Sequence, residues 1–72
     1  MKLSFGEKLR LLREDKEINQ TKLAQATNMT QRKVSYLECG KYEPSISDIV
    51  VLCRYFNVSA DYLLGLSDRK NT

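Results

Sequence analysis

Three cations stand where helices ordinarily carry acids. The segment "QTKLAQAT" puts Lys22 in what its periodicity marks as a first helical turn, and "QRKVSYLEC" puts Arg32 and Lys33 in another. A helix start already carries about half a positive charge and unpaired N–H groups. Each added cation therefore costs a few tenths of a kcal/mol in the isolated chain. An anion resolves the conflict: a phosphate satisfies the free N–H groups, the dipole and the cations together. Gln20 and Gln31 lead the two segments, each with an amide that donates and accepts. Loose placement of surface charge explains any one of these residues, but the same defect at two adjacent helix starts favours a bound anion.

Other chemistries have little to work with. The chain contains no His, no Gly-rich phosphate loop and no paired carboxylates in a recognisable pocket, so no catalytic residue is assigned and no enzyme is expected. Cys39 and Cys53 fit no metal spacing, and no metal or other cofactor is implied. Both read as free thiols, with Cys53 in the core and Cys39 near a helix end.

The 72 residues form one small domain, and 42% apolar with 29% charged residues is a globular composition. No apolar run approaches the roughly 20 residues of a membrane helix. The opening "MKLSFGEKLRLL" is charged throughout, without a secretory cleavage site. No membrane partner is expected, and the cytoplasm is the default location. The net charge is +3, unevenly spread. Residues 1–42 hold nine bases and five acids, whereas residues 43–72 hold three bases and four acids. A basic half beside a near-neutral half suits a polyanionic partner.

The elements that must position these groups all read as helices. "SFGEKLRLLREDKE" aligns Phe5, Leu9 and Leu12 on one face, Ser4 with Glu7 makes a capping box, and Arg13 to Glu17 reads as a solvated end. After a break at Ile18-Asn19, Asn19 caps a second helix with Leu23, Ala24 and Thr27 inward. Asn28 is a plausible left-handed end for it. Thr30 caps a third helix from Gln31 to Cys39, closed by Gly40, with Met29, Val34 and Leu37 as its inner stripe. Pro44 interrupts "KYEPS". Ser45 with Asp48 then opens a fourth helix that buries Ile49, Leu52, Cys53 and Phe56 and ends at Asn57. Ser59 caps a short fifth helix, "ADYLLG", stopped at Gly65. The division expected is a domain over 1–66 and a short flexible tail over 67–72.

A joint of about three residues, Asn28 to Thr30, forces the second and third helices to cross steeply. This is helix-turn-helix geometry, with the third helix protruding. With Val34 and Leu37 inward, Gln31, Arg32, Ser35 and Tyr36 fall largely on the solvent side. Arg can pair bidentately with guanine, Gln with adenine, and an aromatic ring can touch the thymine methyl.

The run "NQTKLAQATNMTQRKVSYLECGKYEPS" followed by "ISDIVVLCRYFNVSADYLLG" resembles the phage repressor and Cro family of helix-turn-helix proteins, the XRE family, over roughly residues 5 to 66. Its elements are Gln20, the pair Leu23-Ala24, Gln31, "E-x-G" at Glu38 to Gly40, Pro44-Ser45 and "NVSADYLLG". The resemblance implies an all-α, compact five-helix bundle of the lambda-repressor-like type, with helix-turn-helix at helices 2 and 3. It implies base contacts from Gln31, Arg32 and Tyr36, to which the exposed-face reading adds Ser35. It implies phosphate contacts from Asn19, Gln20, Lys33 and Lys41, to which the helix-start reading adds Lys22 and Thr30. Arg13 and Glu38 match a partly buried ion pair that orients the third helix. The implied function is a sequence-specific DNA-binding transcriptional regulator of the repressor kind, nucleoid-associated, with the antitoxin of a toxin–antitoxin pair as the alternative. The expected partners are double-stranded DNA with a two-fold operator and a second copy in a homodimer; signal sensing needs a regulatory protein partner or simple concentration control. Tyr62, Leu66 and Tyr55 on the fourth and fifth helices are the candidate dimer surface. Asn28 stands where the family usually has Gly, Lys22 where an acid is frequent, and Thr27 is more polar than usual for an inward position.

Overall fold

Each helix begins on the cap its sequence marks. In a computed structural model, which describes residues 3–67, the elements are α1 (Phe5–Asp15), α2 (Gln20–Thr27), α3 (Gln31–Cys39), α4 (Ile46–Phe56) and α5 (Ala60–Leu63). Ser4 and Ser45 close capping boxes with Glu7 and Asp48. Asn19, Thr30 and Ser59 accept from the third N–H of their helices. Asn28, Gly40 and Asn57 end α2, α3 and α4 in the left-handed conformation, so Asn does at two joints what glycine does at the third. Among the described residues the fold is all-helical, and no helix is long and apolar enough to cross a membrane. Of the tail expected over 67–72, residues 68–72 lie outside the described residues.

Leu9, Leu12, Leu23, Ala24, Val34, Leu37, Leu52, Phe56 and Leu63 form one buried core drawn from all five helices. Thr27 is buried with them, and its hydroxyl donates to the Leu23 carbonyl at 2.7 Å, so its polarity is satisfied inside α2. α3 packs chiefly against α1 and α2, while α4 packs against α5 and α2.

Several details differ from the sequence reading. Phe5 and Cys53 are only partly buried, at the margin of the core, and Ile49 is also only partly buried. Burial still pushes the Cys53 thiol up. α5 stops at Leu63, one turn long, with Gly65 at a φ of 83° just beyond it. Glu17 takes a left-handed φ of 57° at the end of α1, a conformation no turn residue announced. Arg13, in the run read as a solvated end, turns inward. Lys8 is also buried: its Nζ donates to the Tyr62 carbonyl at 2.8 Å and lies 4.7 Å from the Tyr62 ring centroid, clamping α1 to the end of α5.

Gly6 sets how closely α1 approaches the end of α3. A β-carbon at Gly6 would press on the Glu38 carbonyl oxygen and stand 2.6 Å from that of Leu37, both backbone atoms. Gly6→Ala should gain up to about 1 kcal/mol of helix propensity. Overpacking of about 1–3 kcal/mol should outweigh it, because two helices must part. The expected result is a lower denaturant midpoint than wild type; an unchanged or higher one contradicts the close approach.

Candidate nucleic-acid interface

The starts of α2 and α3 lie side by side. The Gln31 side-chain Nε2 donates to Gln20 Oε1 at 2.7 Å, across a joint in which only Asn28, Met29 and Thr30 separate the helices. Asn19 Oδ1 accepts from the Lys22 N–H at 2.8 Å and Thr30 Oγ1 from that of Lys33 at 3.0 Å. These caps leave the earlier N–H groups of both helices, from Gln20, Thr21, Gln31 and Arg32, without intrahelical partners. Asn19, Lys22, Thr30, Gln31 and Arg32 are all exposed. Two open helix ends, with Lys22 and Arg32 standing on them, therefore share one surface.

Behind that surface runs a polar chain from the interior. Arg13 Nε donates to Glu38 Oε2 at 2.6 Å and its Nη2 to Oε1 at 3.1 Å. The two side chains are 13% and 5% exposed. The hydrogen bond to Glu38 holds the Arg13 guanidinium above its ordinary value, burial opposing it. Arg13 Nη1 also donates to the Ile18 carbonyl at 2.8 Å, which ties down the link between α1 and α2. The ion pair implied by the resemblance thus joins α1 to α3. Glu38 Oε1 then accepts from Gln20 Nε2 at 3.1 Å.

The direction of this chain is dictated by its inner end. A carboxylate has no proton to give, so Gln20 must turn its NH2 toward Glu38 and its carbonyl toward Gln31. Gln31 must then offer an N–H to Gln20. What remains for an outside partner is one acceptor, Gln31 Oε1, and one N–H.

The other expected contact residues fall into two groups. Arg32 is exposed beside Gln31. Ser35 lines an open cleft with Arg10, Arg13, Gln20, Glu38 and Cys39, so it is half-buried beside the polar chain. Tyr36 is also half-buried: its ring meets that of Tyr42 edge-on at 4.9 Å between centroids, and Lys41 Nζ lies 5.2 Å from its centre. Tyr42, read as part of a connection, is brought back when the left-handed Gly40 lets the Tyr42 N–H reach the Tyr36 carbonyl at 3.3 Å. Cys39 is exposed, its Sγ 3.7 Å from the Tyr36 carbonyl.

Lys33 corrects the premise that all three helix-start cations lack an anion in the protein. Its Nζ lies 2.8 Å from Asp48 Oδ1. The capping box of α4 uses Asp48 Oδ2, which accepts from the Ser45 N–H at 2.9 Å, and leaves the other oxygen for Lys33. Burial pushes the Asp48 carboxyl up, but the bonds from Lys33 and Ser45 outweigh it and the net direction is down. The sequence marks Asp48 as a cap and carries no signal for its second bond, because Lys33 is fifteen positions away.

The sign of that shift gives a pH test. A depressed carboxyl stabilises the fold above its ordinary value of 3.8, and the contribution is lost as pH falls through the lower folded-state value. Asp48→Asn should be less stable than wild type near neutral pH, and the gap should close on acidification. A gap that persists unchanged below the folded-state value contradicts the assignment.

Residues 4–64 match the family described as helix-turn-helix domain. YobD of Bacillus subtilis (strain 168), an uncharacterized HTH-type transcriptional regulator, is 31% identical over 64 residues, which cover 89% of this chain and 57% of YobD. The HTH-type transcriptional activator BcrR of Enterococcus faecalis is 32% identical over 63 residues, covering 88% of this chain and 31% of BcrR. The chain therefore spans about half or less of these curated relatives. Among solved structures, the P22 c2 repressor protein in complex with a synthetic operator superposes with a TM-score of 0.84 at 26% identity, over 90% of this chain and 98% of that one.

Proposed function

The chain belongs to the helix-turn-helix family, and on that premise we propose that it is a sequence-specific DNA-binding transcriptional regulator, acting as a repressor, that reads the major groove with α3. The observation that carries this reading is the pair of adjacent, open helix starts with Lys22 and Arg32 exposed on them. In the proposed complex Gln31 gives its remaining acceptor and N–H to the N6 and N7 edge of adenine. Arg32 pairs with guanine O6 and N7. Ser35 and the edge of Tyr36 contact neighbouring bases. Asn19, Gln20, Lys22 and Thr30 take one phosphate run across the two helix ends, and Lys41 takes another beyond α3. The protein works by occupying a site, without catalysis, and is placed with the nucleoid in the cytoplasm.

Two-fold operators are read by dimers whose recognition helices lie about one DNA turn apart. We place the homodimer surface on α4 and α5. Leu66, just beyond α5, is 75% exposed, while Tyr55 and Tyr62 sit half-buried at the core margin. A regulatory protein is proposed as the source of any signal.

Selection from a random pool of duplexes tests the reading. The expected result is enrichment of a palindrome with half-sites about 10 base pairs apart. Enrichment of no sequence over the starting pool rejects it.

A further inference from the structure

Asp48 has two oxygens and holds one element with each: Oδ2 caps α4 through the Ser45 N–H and Oδ1 holds Lys33 of α3. Its side chain is only 8% exposed, whereas that of Lys33 is 38% exposed at the edge of the proposed phosphate surface. Resting on the DNA-binding reading above, we propose that Asp48 is a positioning residue that withholds Lys33 from the duplex and so sets the number of phosphates α3 neutralises.

The asymmetry of burial decides which anion keeps the lysine. A phosphate on the surface is already solvated and loses little if Lys33 stays away. Asp48 is not so placed. If Lys33 left, the buried carboxylate would keep the Ser45 N–H and lose the one cation paired with it among the described residues, which is the costly way to break a buried pair. Binding at the α3 start therefore falls to Arg32 and the free N–H groups, with Lys33 one residue away and occupied. Asp48 thereby separates two roles that the sequence "QRK" gives to adjacent cations: Arg32 faces the duplex and Lys33 joins α3 to α4.

The test is the salt dependence of binding to one duplex, measured for wild type, Asp48→Asn, Lys33→Met and the double variant, each checked for folding by thermal melting. Asn keeps an oxygen for the Ser45 N–H but no charge for Lys33. Each phosphate neutralised steepens log K against log salt by about 0.9. Asp48→Asn should steepen the slope by about that amount and tighten binding about fivefold or more at 0.1 M salt. Lys33→Met should leave the slope of the wild-type chain in place and should abolish the gain in the double variant. A folded Asp48→Asn with an unchanged slope overturns the proposal. So does a gain that survives in the Lys33→Met background, which would assign it to general repulsion between Asp48 and DNA. Should Asp48→Asn fail to fold, Lys33→Met decides alone: a slope shallower by about one unit puts Lys33 on a phosphate and overturns the proposal. A wild-type chain that binds no duplex rejects the DNA-binding reading itself, and this inference with it.

Discussion

Arg13→Met should cost about 3–5 kcal/mol of folding stability, because it strands a carboxylate that is 5% exposed. For a domain of this size each kcal/mol moves Tm by about 4–8 °C, so a fall of roughly 12 °C or more is expected. Two groups lose donors at once. Glu38 loses both guanidinium bonds, and the Ile18 carbonyl loses its donor. The link between α1 and α2 loses the side chain that fixes it. Adding Glu38→Leu should recover more than half of the loss, since an apolar pair often replaces a buried ion pair at little cost. Recovery should be incomplete, because Gln20 then has no acceptor for its Nε2. A loss below about 1 kcal/mol for the single variant would show that Glu38 is solvated and that the polar chain has no fixed inner end.

The second large effect lies in binding. The double variant Gln31→Ala/Arg32→Ala should lose about 2–6 kcal/mol of affinity for the selected operator, from about 1–3 kcal/mol for each bidentate base contact. That is about 30-fold or more. On random duplexes the same variant should lose only the contribution of the Arg32 charge, a slope shallower by about one unit. Both residues are exposed, so the melting temperature should barely move. Equal losses on operator and random DNA would strip α3 of base readout and leave it a phosphate-binding surface.

The caps were the most legible part of the chain. Ser4, Asn19, Thr30, Ser45 and Ser59 all open helices, and Asn28, Gly40 and Asn57 end them in the left-handed conformation. These signals are local: a hydroxyl or amide reaches an N–H three residues on, and few residues tolerate positive φ. Core stripes were legible for the same reason, with Leu23, Ala24, Val34 and Leu37 buried as their spacing requires. What escaped the sequence crosses between elements. Lys33 and Asp48, Lys8 and Tyr62, and Tyr36 and Tyr42 meet through the fold, and neither member of each pair names the other. A buried lysine looks like any lysine until a carbonyl is found at its end. The direction of the Glu38–Gln20–Gln31 chain is equally hidden, although each residue carries a signal of its own. Only their juxtaposition shows that a carboxylate at one end fixes which atoms the last amide presents.

Docking of the adjacent starts of α2 and α3 on a duplex can be read from backbone amide NMR shifts as the selected operator is added. The largest changes are expected at Gln20 to Lys22 and at Gln31 to Tyr36, with smaller ones around Lys41. The outer face of α4, where Ile46 is 83% exposed, should stay still on binding one half-site. Large shifts confined to α4 and α5, with Gln20, Gln31 and Arg32 unmoved, would contradict that docking.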